Sequence, residues 1–113
     1  MDLRTAEGMA RELLAEHGLH GWSFRFDRAR VRAGACHYGT RTITLSPWIT
    51  AAHDPSQVRE TLLHEIAHAL VGPRHAHDAV WRARARSIGA RTTPAPSGAG
   101  EPASTVAEGA ARR

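Results

Sequence analysis

Apolar residues recur at three- and four-residue steps from Leu3 through Ala6, Met9, Ala10, Leu13 and Leu14, with His17 completing the stripe. That spacing predicts an amphipathic helix over 3–17, with Gly18 as its C-terminal stop. The period then drops to two. In Trp22-Ser23-Phe24-Arg25-Phe26-Asp27-Arg28 aromatic and polar residues alternate, which predicts a half-buried strand with Trp22, Phe24 and Phe26 inward. A second strand follows, placing Gly34, Cys36 and Tyr38 on one side. A third, over 41–46, turns Ile43 and Leu45 inward. Pro47-Trp48-Ile49 reads as the start of a loop ending at Asp54. Asp54-Pro55-Ser56-Gln57 is a helix start: Asp54 as N-cap, Pro55 at the first helical position, and Gln57 placed to close a capping box. The helix runs over 55–71 and stops at Gly72-Pro73. Asp78 caps a last short helix over 79–88, with Val80, Trp81 and Ile88 as its packing face and Gly89 as its stop.

The 55–71 helix carries the chemistry. Within Thr61-Leu62-Leu63-His64-Glu65-Ile66-Ala67-His68-Ala69-Leu70 lies H-E-x-x-H. Residues four apart fall on nearly one helix face, so His64 and His68 can aim two imidazoles at one point. Two such nitrogens are half of a tetrahedral Zn²⁺ shell and leave room for a third ligand and a water. Glu65, rotated by about 100° from His64, can sit beside the metal without ligating it and act as a general base. The stretch is apolar on most sides, which predicts a buried helix. Ionisable groups buried there are costly unless compensated, and a metal compensates both histidines at once.

The third ligand decides the class. A metzincin continues to a Gly at 71 and a His at 74, where this chain has Val71 and Arg74. A thermolysin-like glutamate from a later helix has only Glu101 and Glu108 to draw on. His75 and His77 remain, with Asp78 as a weaker candidate.

The block 60–70 followed by His77-Asp78-Ala79-Val80-Trp81 resembles the SprT-like zinc metalloproteases, the family of the Spartan-type proteases that cut DNA–protein crosslinks. Gly34-Ala35-Cys36 and Ile43-Thr44-Leu45-Ser46 resemble that family's strand pair before the zinc helix. The resemblance covers about 22–88. It implies His77 as third ligand, because the family pattern puts an aromatic four residues after that histidine, where Trp81 stands. It also implies that Trp81 holds His77 in place. The fold it points to is an α+β zincin-like domain over 1–91: a helix, a three-stranded mainly antiparallel sheet, the zinc helix and a short helix. The activity it implies is that of a zinc metalloendopeptidase with one catalytic Zn²⁺, acting on protein or peptide substrates, including proteins on DNA. Asp78 can alternatively accept a hydrogen bond from a ligand histidine. Tyr38, Arg74 and His75 are the candidates for stabilising the oxyanion.

Composition narrows this picture. One domain fits in 113 residues, and a single cysteine excludes an intramolecular disulfide and a Cys₄ zinc ribbon. The chain therefore reads as a minimal family member without the C-terminal ribbon. From Thr92 onward Pro, Gly, Ser, Thr and Ala dominate, which predicts a disordered tail over 92–113. No apolar leader or membrane-length run is visible, so the expected location is cytoplasmic and the expected state a monomer. The net charge of +4 rests on fifteen basic residues, all of them Arg. It is compatible with weak, sequence-independent nucleic-acid binding, and Arg28, Arg30 and Arg32 could form a phosphate-facing row, or simply a solvated face. Two readings compete with the peptidase: a DNA- or partner-binding module with a structural zinc, and a zinc hydrolase of a non-peptide amide.

Overall fold

In the computed structural model, residues 1–91 are described; the tail expected from Thr92 onward lies outside them. The elements are α1 (Leu3–Glu16), β1 (Ser23–Phe26), β2 (Gly34–His37), β3 (Thr42–Leu45), α2 (Pro47–Ala52), α3 (Pro55–Val71) and α4 (Ala79–Ser87). The helix of the H-E-x-x-H motif keeps its expected bounds because local chemistry fixes both ends. Asp54 and Gln57 form the full capping box, and Gly72, at φ 92, closes the other end. A side chain at Gly72 would be strained in that backbone region.

The three expected strands form one sheet in the order β1-β3-β2. Its pairing is mixed where a mainly antiparallel sheet was expected. β1 pairs parallel with β3, and β2 pairs antiparallel with β3. The reason is the 27–33 connection, which carries the chain across the C-terminal end of β3 instead of turning back beside β1. Asp27 donates its N–H to the Leu45 carbonyl, and Ser46 donates to that of Ala33. Asp27 also locks this crossing from the side. Its carboxylate accepts from Thr44 Oγ1 at 2.7 Å and from Arg32 at 3.1 Å.

This crossing breaks up the arginine row. Arg32 folds back on Asp27, Arg30 lies 4.0 Å from the centre of the Trp48 ring, and Arg28 points into solvent. A second correction concerns 47–54. The segment read as a loop contains α2, in which Ser46 accepts from the N–H of Ile49 and Pro47 opens the first turn. Ser-Pro here is the same cap-and-proline start that marks α3. The helix is too short to show a period.

One sheet face buries Phe24, Ile43 and Leu45, which join Ala6, Ala10 and Leu13 of α1 and Val58, Leu62 and Ile66 of α3 in a single core. Each fully buried Leu or Ile contributes about 1.5–3 kcal/mol. The caps thus set where α3 begins and ends, while packing holds it. Gly34 belongs to the same contact: a Cβ there would stand 2.9 Å from Thr61 Cγ2 of α3. Beyond α4, Arg91 donates its N–H to the Glu60 carboxylate and ties the chain back to α3. Among the described residues no helix is long and apolar enough to cross a membrane.

Candidate metal centre

Three side chains converge at the C-terminal half of α3. His77 Nε2 lies 2.9 Å from His64 Nε2 and 3.0 Å from His68 Nε2, and the three ligand atoms fall within 4.8 Å of one another. Among the described residues these three make up the group; no other His, Cys, Asp or Glu joins it. A neutral imidazole has one donor and one acceptor nitrogen. One nitrogen in contact with two others cannot give each a well-directed hydrogen bond, whereas a cation at the centre gives all three lone pairs the same partner. Ligand nitrogens around a tetrahedral Zn²⁺ stand roughly 3.3 Å apart, as bonds of about 2.0–2.1 Å require. The two separations from His77 are a few tenths of an ångström short of that, and the His64–His68 pair stays within 4.8 Å. The donor set fits such an ion.

Electrostatics favour the same state. Burial, then the neighbouring His68 and His77, hold His64 well below the ordinary histidine range. Burial lowers His77 as well, against an opposing pull from Asp78. Both rings are thereby kept neutral, which is the ligating form.

Glu65 is 1% exposed, and its Oε2 has no hydrogen-bond partner among the described residues. Burial raises its carboxyl to about 8, with the Arg32 guanidinium pulling the other way. Near neutral pH the carboxyl is therefore mostly protonated in the metal-free protein; a cation held by the neighbouring imidazoles would favour the ionised form that a general base requires. Cys36 lies on the sheet face toward α3; burial, and next the charge of Glu65, push its thiol well above the usual range. That thiol is inert, in keeping with a small packing residue.

The return loop from α3 to α4 brings in the third histidine. His77 has φ 61, in the left-handed region. For a non-glycine residue this costs about 1–2 kcal/mol. Trp81 then closes the cluster from one side. Its ring centroid is 4.6 Å from His64, 5.2 Å from His68 in a stacked geometry, and 4.6 Å from His77 edge-on. Asp78 makes two contacts outside the cluster. Its Oδ1 accepts from the Trp81 N–H at 3.0 Å as helix cap, and its Oδ2 pairs with His75 Nδ1 at 2.8 Å. His75 is thereby turned away from the other three histidines. The Tyr38 hydroxyl donates toward the His68 carbonyl at 3.3 Å, at the end of α3, and Arg74 is exposed.

Sequence reasoning missed two neighbours of this site. Arg32 acts on Glu65 across space, and nothing in the pattern marks it. Arg82 donates to the His77 carbonyl at 2.8 Å; a basic residue just after Trp81 is visible in the sequence, but its partner depends on the backbone of His77.

The chain matches the profile of the SprT-like family over residues 5–101. No curated protein matches it. Among solved structures, it is similar to the crystal structure of the metallopeptidase zymogen jannalysin of Methanocaldococcus jannaschii. The TM-score is 0.65 at 14% identity, with 76% of this chain and 83% of that chain covered. At this identity the likeness speaks for the fold, and the fold is shared. With most of its length inside one family profile, the chain belongs to the SprT-like family.

Proposed function

We propose that the chain is a zinc-dependent endopeptidase in which His64, His68 and His77 hold one catalytic Zn²⁺ and Glu65 is the general base. The observation that carries this reading is the convergence of three imidazoles next to a buried carboxyl with an oxygen unpartnered among the described residues. Family membership supports it, and so does the likeness to a structure described as a metallopeptidase zymogen. When bound, the ion supplies a Lewis acid that polarises the scissile carbonyl and makes water nucleophilic near neutral pH. Glu65 takes the proton from the attacking water and passes it to the leaving amide nitrogen. Trp81 shields one side of the rings from solvent. With His75 paired to Asp78, no fourth protein ligand joins the group among the described residues, which favours a catalytic centre over a closed structural one.

An extended substrate has a place to dock. β2 is an edge of the sheet and packs on α3, so a peptide can add to it as a further strand. That favours a peptide over a small non-peptide amide. The net charge of +4 supports weak affinity for nucleic acid, and with it proteins attached to DNA as substrates.

The test is cleavage of casein by zinc-loaded wild type and Glu65→Gln, with and without single- and double-stranded DNA. Wild type cleaves, and Glu65→Gln loses about 10²–10⁴-fold at equal zinc content. A fully zinc-loaded wild type that leaves casein and other unfolded proteins intact overturns the reading. DNA that leaves the rate unchanged removes the DNA-linked substrates alone.

A further inference from the structure

We propose that Arg82 is a positioning residue for the metal centre: its guanidinium holds the His77 backbone in the conformation that aims the ring at His64 and His68. The inference rests on His77 being a metal ligand.

Among the described residues only Arg41 and His77 are non-glycine residues with positive φ. Arg41 sits in the tight turn joining β2 to β3, where such backbone is ordinary. His77 has no hairpin around it. On its N-terminal side Pro73, Arg74 and Ala76 are exposed, so the core does not constrain the approach. The half-buried His75 ties the approach down through its N–H to the Gly72 carbonyl at 3.3 Å and its ring to Asp78 at 2.8 Å. The contact to the His77 backbone itself comes from the C-terminal side, in the first turn of α4.

Arg82 takes two consecutive carbonyls there. Its backbone N–H donates to Asp78 at 2.9 Å, which is the first hydrogen bond of the helix, and its Nη1 donates to His77 at 2.8 Å. The orientation of the His77 carbonyl is set by that residue's own ψ. A charged donor rooted on the helix therefore restrains the torsion next to the strained φ. Without it, the peptide after His77 can rotate towards a relaxed conformation, and the ring leaves its 2.9–3.0 Å approach to its two neighbours. Trp81 restrains the ring from one side. Arg82 restrains the backbone that carries it.

The experiment compares the Zn²⁺ affinity of wild type, Arg82→Ala, Arg82→Lys and His77→Ala by competition with a chromophoric chelator. Thermal unfolding of the same metal-free proteins is followed in parallel. Arg82→Ala weakens zinc binding by about tenfold, the low end of what groups supporting a metal ligand contribute, with the metal-free midpoint unchanged. Arg82→Lys recovers part of the loss, since an ammonium can donate to the same carbonyl. His77→Ala weakens binding further. Wild-type affinity in Arg82→Ala, with His77→Ala impaired, overturns the positioning role and leaves the metal centre standing. Wild-type affinity in His77→Ala overturns the ligand assignment itself. A lowered metal-free midpoint in Arg82→Ala that Arg82→Lys does not repair would make Arg82 a general stabiliser of α4 and overturn the proposal.

Discussion

His64 and His68 project from a 17-residue helix whose other faces are filled by Leu62, Leu63, Ile66 and Ala67, all at 2% exposure or less. His77 stands in a short return loop with exposed residues before it and a left-handed backbone of its own. The first pair is held by the core, which would have to repack before either ring moved. The third is held by a few local contacts: the Trp81 ring, the Asp78 cap and the Arg82 hydrogen bond. A centre built this way has two fixed arms and one adjustable arm. Adjustment costs little where no packing has to yield, and local opening is drawn from such low-stability segments.

The largest effect breaks the comparison, because one residue serves both arms. Trp81 is 4% exposed and touches all three imidazoles. Trp81→Ala is expected to cost about 3–5 kcal/mol of stability and to weaken metal binding with it. Urea unfolding measures the first; a cost below about 1 kcal/mol would mean the rings and the core hold without it. Next, Ile66→Ala truncates a side chain at 0% exposure on α3. The expected cost is about 2–5 kcal/mol, with zinc affinity of the folded protein nearly kept. Stability and affinity falling together would show that the fixed arms are not held by packing alone.

Glu65 gives a test with a defined pH window. Its folded carboxyl is raised from 4.5 to about 8, so the stability tied to its proton is full below 4.5 and lost as pH rises through 8. In the metal-free protein, Glu65→Gln should therefore raise the thermal midpoint above pH 8 and leave it close to wild type at pH 5. An equal gain at both pH values would assign the effect to shape instead of charge. The smallest effect sharpens the comparison most. Asp54 and Asp78 each cap a helix, and in each case a backbone N–H they accept, that of Gln57 or Trp81, holds the carboxyl below its ordinary value. Asp54→Ala and Asp78→Ala should each lower the midpoint by roughly a few degrees. Only Asp78→Ala should also weaken zinc binding, since only that cap belongs to the adjustable arm. Matching zinc affinities in the two variants would remove the distinction.

The parts of the fold that could be read from the chain are those with a local cause. α3 was legible from end to end because Asp54, Pro55 and Gln57 start it, Gly72-Pro73 stops it, and the four-residue histidine spacing has meaning only on a helix. α2 escaped because six residues show no period, although Ser46-Pro47 marks its start. The arginine row dissolved because alternation predicts a common side only where the backbone is extended, and 27–33 is a crossing loop.

The sequence by itself determined the elements, their caps and the chemistry available: two imidazoles on one helical face, a carboxyl between them, and histidines in the turn that follows. Tertiary structure alone decided the rest. It put β3 between β1 and β2, because pairing partners depend on where a connection runs and not on what a strand contains. It brought His77, with its left-handed backbone, to the cluster while giving His75 to Asp78. It raised the carboxyl of Glu65, because burial is a property of the packed core and not of the residue.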